Sequence, residues 1–185
     1  MSENHSRGII RKLLPHESGE LLQHFLRLDG ESRCARFHHA VSDEFLAAYA
    51  RHAFADGAIL HGWFCDGTLR AVAELHPLGS WKSAEVAFSV EPEHQEHGVG
   101  SRLMDATMTA ARNRGVEKLT FCYLPENRRM QALARKGGAR LRFEADEVFG
   151  EIRPRRATGL SYLREAIGEM RLLADAIIRP RAFSD

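Results

Sequence analysis

The feature that most constrains this chain is a strand that runs into a glycine turn and then into a helix. In Ala84-Glu85-Val86-Ala87-Phe88-Ser89-Val90, residues Ala84, Val86, Phe88 and Val90 alternate with Glu85, Ala87 and Ser89, the period of a strand with one buried face. The turn Gln95-Glu96-His97-Gly98-Val99-Gly100 follows, and from it a helix runs to about Arg114. Val99, Leu103, Ala106 and Ala110 form its stripe, widened by Met104, Met108 and Ala111. An apolar face that broad belongs to a helix lying on a sheet. The first backbone N–H groups of such a helix lack internal partners and sit at the positive end of its dipole, so they favour an anion. Gly98 and Gly100 let a phosphate approach the backbone closely. There is no P-loop lysine and no acidic ribose-binding residue as in a dinucleotide fold. Taken alone, the two glycines fit a tight strand-to-helix turn equally well.

The rest of the chain supplies a sheet for this helix. Gly8–Leu14 reads as a first strand, and Glu17–Leu28 as a helix carrying Leu21, Leu22, Phe25 and Leu28. Asp29-Gly30-Glu31-Ser32 breaks it, and Ser42-Asp43 caps a second helix with Phe45, Tyr49 and Ala53 on one face. Ala58–Cys65 and Thr68–His76 flank Asp66-Gly67, a hairpin signal. Ser83–Val90, Glu117–Leu124 and Ala139–Phe143 read as strands, Glu126–Lys136 as a helix stopped by Gly137-Gly138, and Glu147–Arg153 as an edge strand. Helices separated by strands around a mixed sheet predict an α/β (α+β) domain. Thr158 caps a last helix with Leu160, Leu163, Ile167, Met170, Leu173 and Ile177 on one side. That stripe needs a partner surface: intramolecular docking is the commoner solution, and a homodimer contact is the other.

Composition narrows the partners. Lys plus Arg total 26 against 25 Asp plus Glu, so no long-range field favours nucleic acid or an anionic membrane. No apolar run approaches the roughly 20 residues of a membrane span, and Met1–Gly8 lacks the apolar core of a signal peptide. The expected location is cytoplasmic. Cys34, Cys65 and Cys122 are odd in number and widely spaced, which predicts free thiols. His94 and His97 have metal-like spacing but no second ligand pair, so no metal is expected.

Three linked stretches carry a family resemblance: the strand Ala84–Val90 with its Glu85, the turn Gln95-x-x-Gly98-x-Gly100, and Glu126-Asn127-x-x-Met130-x-x-Leu133-Ala134-x-Lys136-x-Gly138. In this order and spacing they resemble the GNAT acetyltransferase superfamily, over roughly residues 8–143 in element order and sharply over 84–139. The wording is most similar to the acetyltransferase domains of bacterial protein-lysine acetyltransferases. Those share the Asp29–Phe37 segment, Asp-Gly-Glu-Ser-Arg-x-x-Arg-Phe, and the Ala-Glu-Val-Ala-Phe-x-Val strand. The resemblance implies a GNAT-type acyl-CoA N-acyltransferase fold, a mixed central sheet flanked by helices, over residues 1–143. Residues 144–185 would be an extension, an edge strand and an amphipathic helix, packed on the same domain.

The resemblance also implies acetyl-CoA as cosubstrate and an amine acceptor, a protein lysine or a small molecule; a non-catalytic acyl-CoA sensor is the reading from another class. Backbone groups of Phe88 and Val90, flanking Ser89, would bond the pantetheine arm. Gln95, Glu96, His97, Gly98, Val99, Gly100 and Ser101 would supply amides to the pyrophosphate, Asn127 would reach the cofactor near its sulfur, and Arg102 could add charge. Glu85 would be the general base. A lysine-like amine with a pKa near 10.4 is neutral about once in 2,500 at pH 7, a deficit of about 4.6 kcal/mol that a base helps to overcome. Where many of these enzymes carry a tyrosine seven residues after the asparagine, to protonate the leaving thiolate, this chain has Ala134; Tyr123 is on a different element. Strand alternation puts Leu119, Phe121 and Tyr123 on one face and Lys118, Thr120 and Cys122 on the other. The segments expected to border the acceptor, Gly30–Ser42 and His76–Lys82, hold one carboxylate, Glu31, with Arg33, Arg36 and Lys82.

Overall fold

The computed structural model describes residues 8–178, with side chains described as far as Met170. Seven strands form one sheet in the order β1-β2-β3-β4-β5-β7-β6. They are β1 (Ile9–Lys12), β2 (Ile59–Cys65), β3 (Thr68–Leu78), β4 (Ser80–Val90), β5 (Lys118–Tyr123), β6 (Arg140–Glu144) and β7 (Glu147–Ile152). Every neighbouring pair is antiparallel except β4 and β5, which run parallel. The β2–β3 hairpin turns through Asp66 and Gly67, both at positive φ, as a tight two-residue turn requires.

Helices α1 (Ser18–Arg27), α2 (Gly30–Phe37) and α3 (Asp43–His52) cover one face of the sheet. Leu21, Phe25 and Leu46 are fully buried there with Leu60, Leu69 and Val72 of β2 and β3. On the other face, α4 (Val99–Asn113) buries Leu103, Met104, Ala110 and Ala111 against the sheet, and α5 (Arg128–Lys136) lies beside it. The broad stripe expected of α4 is therefore its buried side. Gly150 of β7 faces Phe121 of β5, and a Cβ there would lie 1.9 Å from the Phe121 ring. Glycine at that position lets the aromatic ring cover β7.

Two segments differ from the sequence reading. Asp29-Gly30-Glu31-Ser32 was expected only to break a helix. It does end α1, but Asp29 also caps α2, its carboxylate accepting from the Ser32 N–H at 2.7 Å. Asp-Gly reads equally well as a turn or as a cap. The strands expected at Thr68–His76 and Ser83–Val90 run further, so that His76–Lys82, a segment expected to border the acceptor, is the closed end of the β3–β4 hairpin, turned by Gly79 at φ +73°.

The last helix, α6 (Gly159–Ile178), packs on α4 and β1 through its polar side. Ser161 is buried and its hydroxyl donates to Asn113 Oδ1 at 2.5 Å. Glu165 pairs with Arg114 at 2.8 Å and Lys12 at 3.0 Å, and Lys12 also bonds Glu169. Leu160, Leu163, Ile167 and Met170, the expected docking stripe, are instead exposed at 38–59%. Leu173 and Ile177 lie outside the described side chains, and Met1–Arg7 outside the described residues.

Candidate active site

The parallel pair is where the sheet opens. β4 and β5 are joined only over Ser83↔Lys118, Ala84↔Leu119 and Glu85↔Thr120, yet β4 continues to Val90 and β5 to Tyr123. Each parted strand is paired on its outer edge, β4 with β3 and β5 with β7. Their inner edges therefore face a gap across which they do not pair. An extended chain entering that gap would meet main-chain donors and acceptors already in strand geometry.

Helix α4 starts where β4 ends. Gly98 is its N-cap in the left-handed region, φ +75°, and no side chain caps this end. A Cβ at Gly98 would meet nothing within 4 Å, so the residue is required for its dihedral angle and not for space. The first-turn N–H groups of Val99, Gly100 and Ser101 have no intrahelical acceptor and form the positive helix end. The preceding turn holds Glu96 at φ +64°, a strained value for a residue with a side chain. Helix α5 adds cations: Lys136 Nζ donates to Ser101 Oγ at 3.0 Å, and Arg128, Arg129 and Arg135 lie on the same short helix. The arrangement is a helix N-terminus without a side-chain cap, with Lys136 beside it.

Several expected contributors have other duties. The Gln95 backbone N–H already donates to Pro92 O at 3.2 Å. Its side chain donates to Val90 O at 2.9 Å and Ser32 Oγ at 3.2 Å, and accepts from Arg129. Gln95 therefore braces the end of β4 against α2 and α5. Asn127 caps α5, its carboxamide oxygen accepting from Met130 N at 2.9 Å, so only its NH2 end is available to a ligand. Arg102 turns away and donates to Gly8 O at 3.0 Å. His94 is buried against Trp63, whereas His97 is exposed, so their spacing does not build a ligand pair.

The two sides of the parted strands differ. Toward α4 and α5 lie Val86, Leu119, Phe121 and Tyr123, all at most 2% exposed, with Phe88 and Leu133 packed against them and Ala134 fully buried among them. The opposite side carries exposed Glu85 and half-buried Thr120 and Cys122, as the alternation of β5 predicts. Beyond Cys122 stands Glu147, at the start of β7, with His38 Nδ1 3.0 Å from its carboxylate. Donor atoms of His38, Cys122 and Glu147 lie within 4.8 Å of one another. Burial, with the nearby Glu147 and Glu85 carboxylates, pushes the Cys122 thiol up to about 12. Hydrogen bonds from His38 and Cys122 hold Glu147 below the usual carboxylate range. His38 is the C-cap of α2 at φ +67°, a cost of order 1 kcal/mol for a non-glycine residue.

Buried ion pairs underpin this side. Glu74 on β3 is fully buried; Arg36 of α2 donates to its Oε1 at 2.6 Å and Tyr49 of α3 to its Oε2 at 2.8 Å. Burial pushes Glu74 up, but the charge of Arg36, with His76 Nε2 3.5 Å away, outweighs it and brings the carboxyl to about 2. His76, the residue on β3 opposite Glu85, links this network to the site. At the end of β4, Glu91 accepts from His24, Arg27 and Arg70 at 2.8–3.1 Å. His38 lies in the Gly30–Ser42 segment expected to border the acceptor, whereas Glu147 and Glu74 escaped the sequence reading as site residues, because each joins the site from a distant strand and only the sheet register aligns them with Glu85.

Comparison with known proteins gives one pattern. The model of the acetyltransferase (GNAT) family matches residues 22–138. The GNAT domain of S. lividans PAT superposes with a TM-score of 0.66 at 24% identity, over 78% of this chain and 89% of that one. The ribosomal-protein-S18-alanine N-acetyltransferase of Escherichia coli gives 0.64 at 15% identity, over 82% and 97%. The yncA protein of Salmonella typhimurium, solved with its cofactor acetyl-CoA, gives 0.60 at 16%, over 82% and 96%. At these identities the superpositions bear on fold, and they share the mixed sheet flanked by helices.

Proposed function

Given that this chain belongs to the acetyltransferase (GNAT) family and is an acyltransferase, we propose that it transfers an acetyl group from acetyl-CoA to a primary amine by direct attack in a ternary complex. The observation that carries this reading is the parting of β4 and β5 immediately after Glu85↔Thr120, beside the uncapped start of α4. Pantetheine would lie along the inner edge of β4, using backbone groups around Phe88, Ser89 and Val90. The pyrophosphate would take the first-turn amides of Val99, Gly100 and Ser101 after the Glu96-His97-Gly98 turn, with Lys136 near. The Asn127 amide would point at the cofactor, and Gln95 would hold the turn in place.

Glu85 then serves as general base. It is exposed on the side from which an amine would come, so it can take the ammonium proton directly or through one water. Nitrogen attacks the carbonyl carbon, and the C–S bond breaks. A raised thiol pKa leaves Cys122 almost wholly protonated, which argues against an acyl-enzyme on it. The openness of the Glu85 side favours an acceptor presented on a protein surface, a lysine side chain. The carboxylates of Glu85 and Glu147 on one side favour, as a second reading, a small cationic amine. The exposed stripe of α6, Leu160, Leu163, Ile167 and Met170, supports association of two copies through that helix.

The test is CoA release from acetyl-CoA over a panel of lysine peptides, amino acids and small amines. A higher kcat/KM on lysine peptides supports the protein acceptor, and the reverse order supports the small amine. No release with any amine contradicts the proposal.

A further inference from the structure

We propose that His38, Cys122 and Glu147 form a Zn²⁺ site on the Glu85 side of the parted strands, where the bound ion bars the acceptor amine, a role that rests on the acetyl-transfer reading above. The three side chains come from three ordered elements: the C-cap of α2, the next-to-last residue of β5 and the first residue of β7. Cys122 pairs with Phe149 in the sheet register, so Glu147, two residues before Phe149, shares its face as a diagonal neighbour. His38 takes the left-handed backbone form, φ +67°, which a helix end usually gives to glycine. One ligand atom from each residue lies within 4.8 Å of the other two, and His38 Nδ1 is 3.0 Å from the Glu147 carboxylate. Ligand atoms bound to a tetrahedral zinc at about 2.0–2.3 Å stand roughly 3.3–3.6 Å apart. Small torsional shifts of three half-buried side chains close that difference.

The donor set selects the metal. One thiolate, one imidazole and one carboxylate suit Zn²⁺, whereas Mg²⁺ and Ca²⁺ take oxygen ligands. Three protein ligands leave the fourth tetrahedral position to water. Among the described residues no Lys or Arg forms an ion pair with Glu147, whose salt-bridge partner is His38, so its charge is left for a cation. A second grouping of ligand types, Glu91, Glu93 and His94, differs on this point. Arg27 and Arg70 already hold Glu91 at 2.9 and 2.8 Å, and two guanidinium groups repel a further cation. Ligand spacing along the sequence gives no sign of the first site, because His38 and Glu147 are 109 residues apart. Its place gives it a role. Glu85 pairs with Thr120, and Cys122 is the next residue of β5 on that face. A doubly charged ion there repels an ammonium acceptor. The binding step balances: zinc gains bonds to sulfur, nitrogen and oxygen, the His38–Glu147 hydrogen bond is given up, and the Cys122 thiol proton leaves to water.

The test takes the chelator-treated full chain, with Co²⁺ and Zn²⁺ as probes. Co²⁺ should give the intense visible bands of a tetrahedral ion and a near-ultraviolet thiolate-to-metal charge-transfer band, and Zn²⁺ should abolish both. Cys122→Ala should lose the charge-transfer band, with melting temperature and acetyl-CoA affinity held. In calorimetry it should bind Zn²⁺ at least about tenfold more weakly, no less than the loss of a group that merely orients a ligand costs. His38→Gln should weaken binding likewise. In initial rates, Zn²⁺ should inhibit the wild type in competition with the amine and not with acetyl-CoA, a chelator should restore the rate, and Cys122→Ala should resist. Zn²⁺ affinity unchanged in Cys122→Ala and His38→Gln, or an octahedral cobalt spectrum without the charge-transfer band, overturns the inference. So does Zn²⁺ bound through Cys122 that leaves the rate unaltered. If the wild type acetylates no amine even when stripped of metal, the function reading fails instead, and the cobalt spectrum still decides whether the site exists.

Discussion

The two sides of the parted β4–β5 pair are built from alternate residues of the same strands, yet they share almost no chemistry. One side is Val86, Leu119, Phe121 and Tyr123 under α4 and α5, nearly without exposed surface. The other is exposed Glu85 with half-buried Thr120 and Cys122, edged by His38 and Glu147. The period of two along a strand is enough to divide them. In the proposed reaction the dry side holds the thioester and its leaving group, whereas the wet side admits an amine and carries its proton away. A low-dielectric wall strengthens whatever dipoles point at the sulfur, while solvent beside Glu85 lets the released proton escape.

The largest expected effect tests the cofactor end of the dry side. Gly100→Glu should weaken acetyl-CoA binding at least about 100-fold, or about 2.7 kcal/mol, because it puts an anion at the start of α4. A Cβ at Gly100 meets only Leu133, at 3.6 Å, so the fold should persist and the melting temperature should hold. Calorimetry showing unchanged affinity would remove the phosphate site from α4.

Acid unfolding should separate the two sides. His61 of β2, near Lys12, Arg114 and Glu165, is held by burial at about 4. Its unfolded pKa is near 6.5, so the unfolded state binds the proton first. Stability from His61 is present above about 6.5 and lost as pH falls toward 4, up to about 3 kcal/mol. Glu74 on the wet side titrates at about 2 against 4.5 unfolded. Its contribution is present above about 4.5 and lost as pH falls toward 2. Denaturant melts between pH 7 and pH 3 should show both losses, and His61→Gln should flatten the first alone.

Much of this was legible in the sequence. The alternation of Ala84–Val90 and of Leu119–Tyr123 assigned each side chain to its face, and the glycine turn located the start of α4. What escaped was set by long-range partners. The apolar stripe of α6 implied a docked face, but Lys12, Arg114 and Asn113 hold the helix by Ser161, Glu165 and Glu169, leaving the stripe outside. Ion pairs across more than 40 residues leave no periodic trace. Asp29 could be turn or cap, and only its bond to Ser32 decides. Glu147 was read as part of an edge strand, but β7 is inserted between β5 and β6, which leaves β6 at the edge, and the place of Glu147 beside Cys122 depends on the β5–β7 register.

The smallest expected effect concerns Cys122. Cys122→Ala should change kcat by about threefold or less, and intact mass after incubation with acetyl-CoA alone should show no acetyl group on the wild-type chain. A stoichiometric acetyl adduct, lost together with turnover in Cys122→Ala, would require a covalent route and move the chemistry onto the thiol.

The wet side's claim on the chemistry is tested most directly by the pH dependence of kcat in Glu85→Gln. At pH 7 the account predicts a loss of about 10²-fold or more with acetyl-CoA affinity intact. The gap should narrow as pH rises toward the amine pKa, where the acceptor deprotonates unaided. Wild-type turnover at pH 7, or a deficit that stays constant across the whole range, would contradict Glu85 as the base.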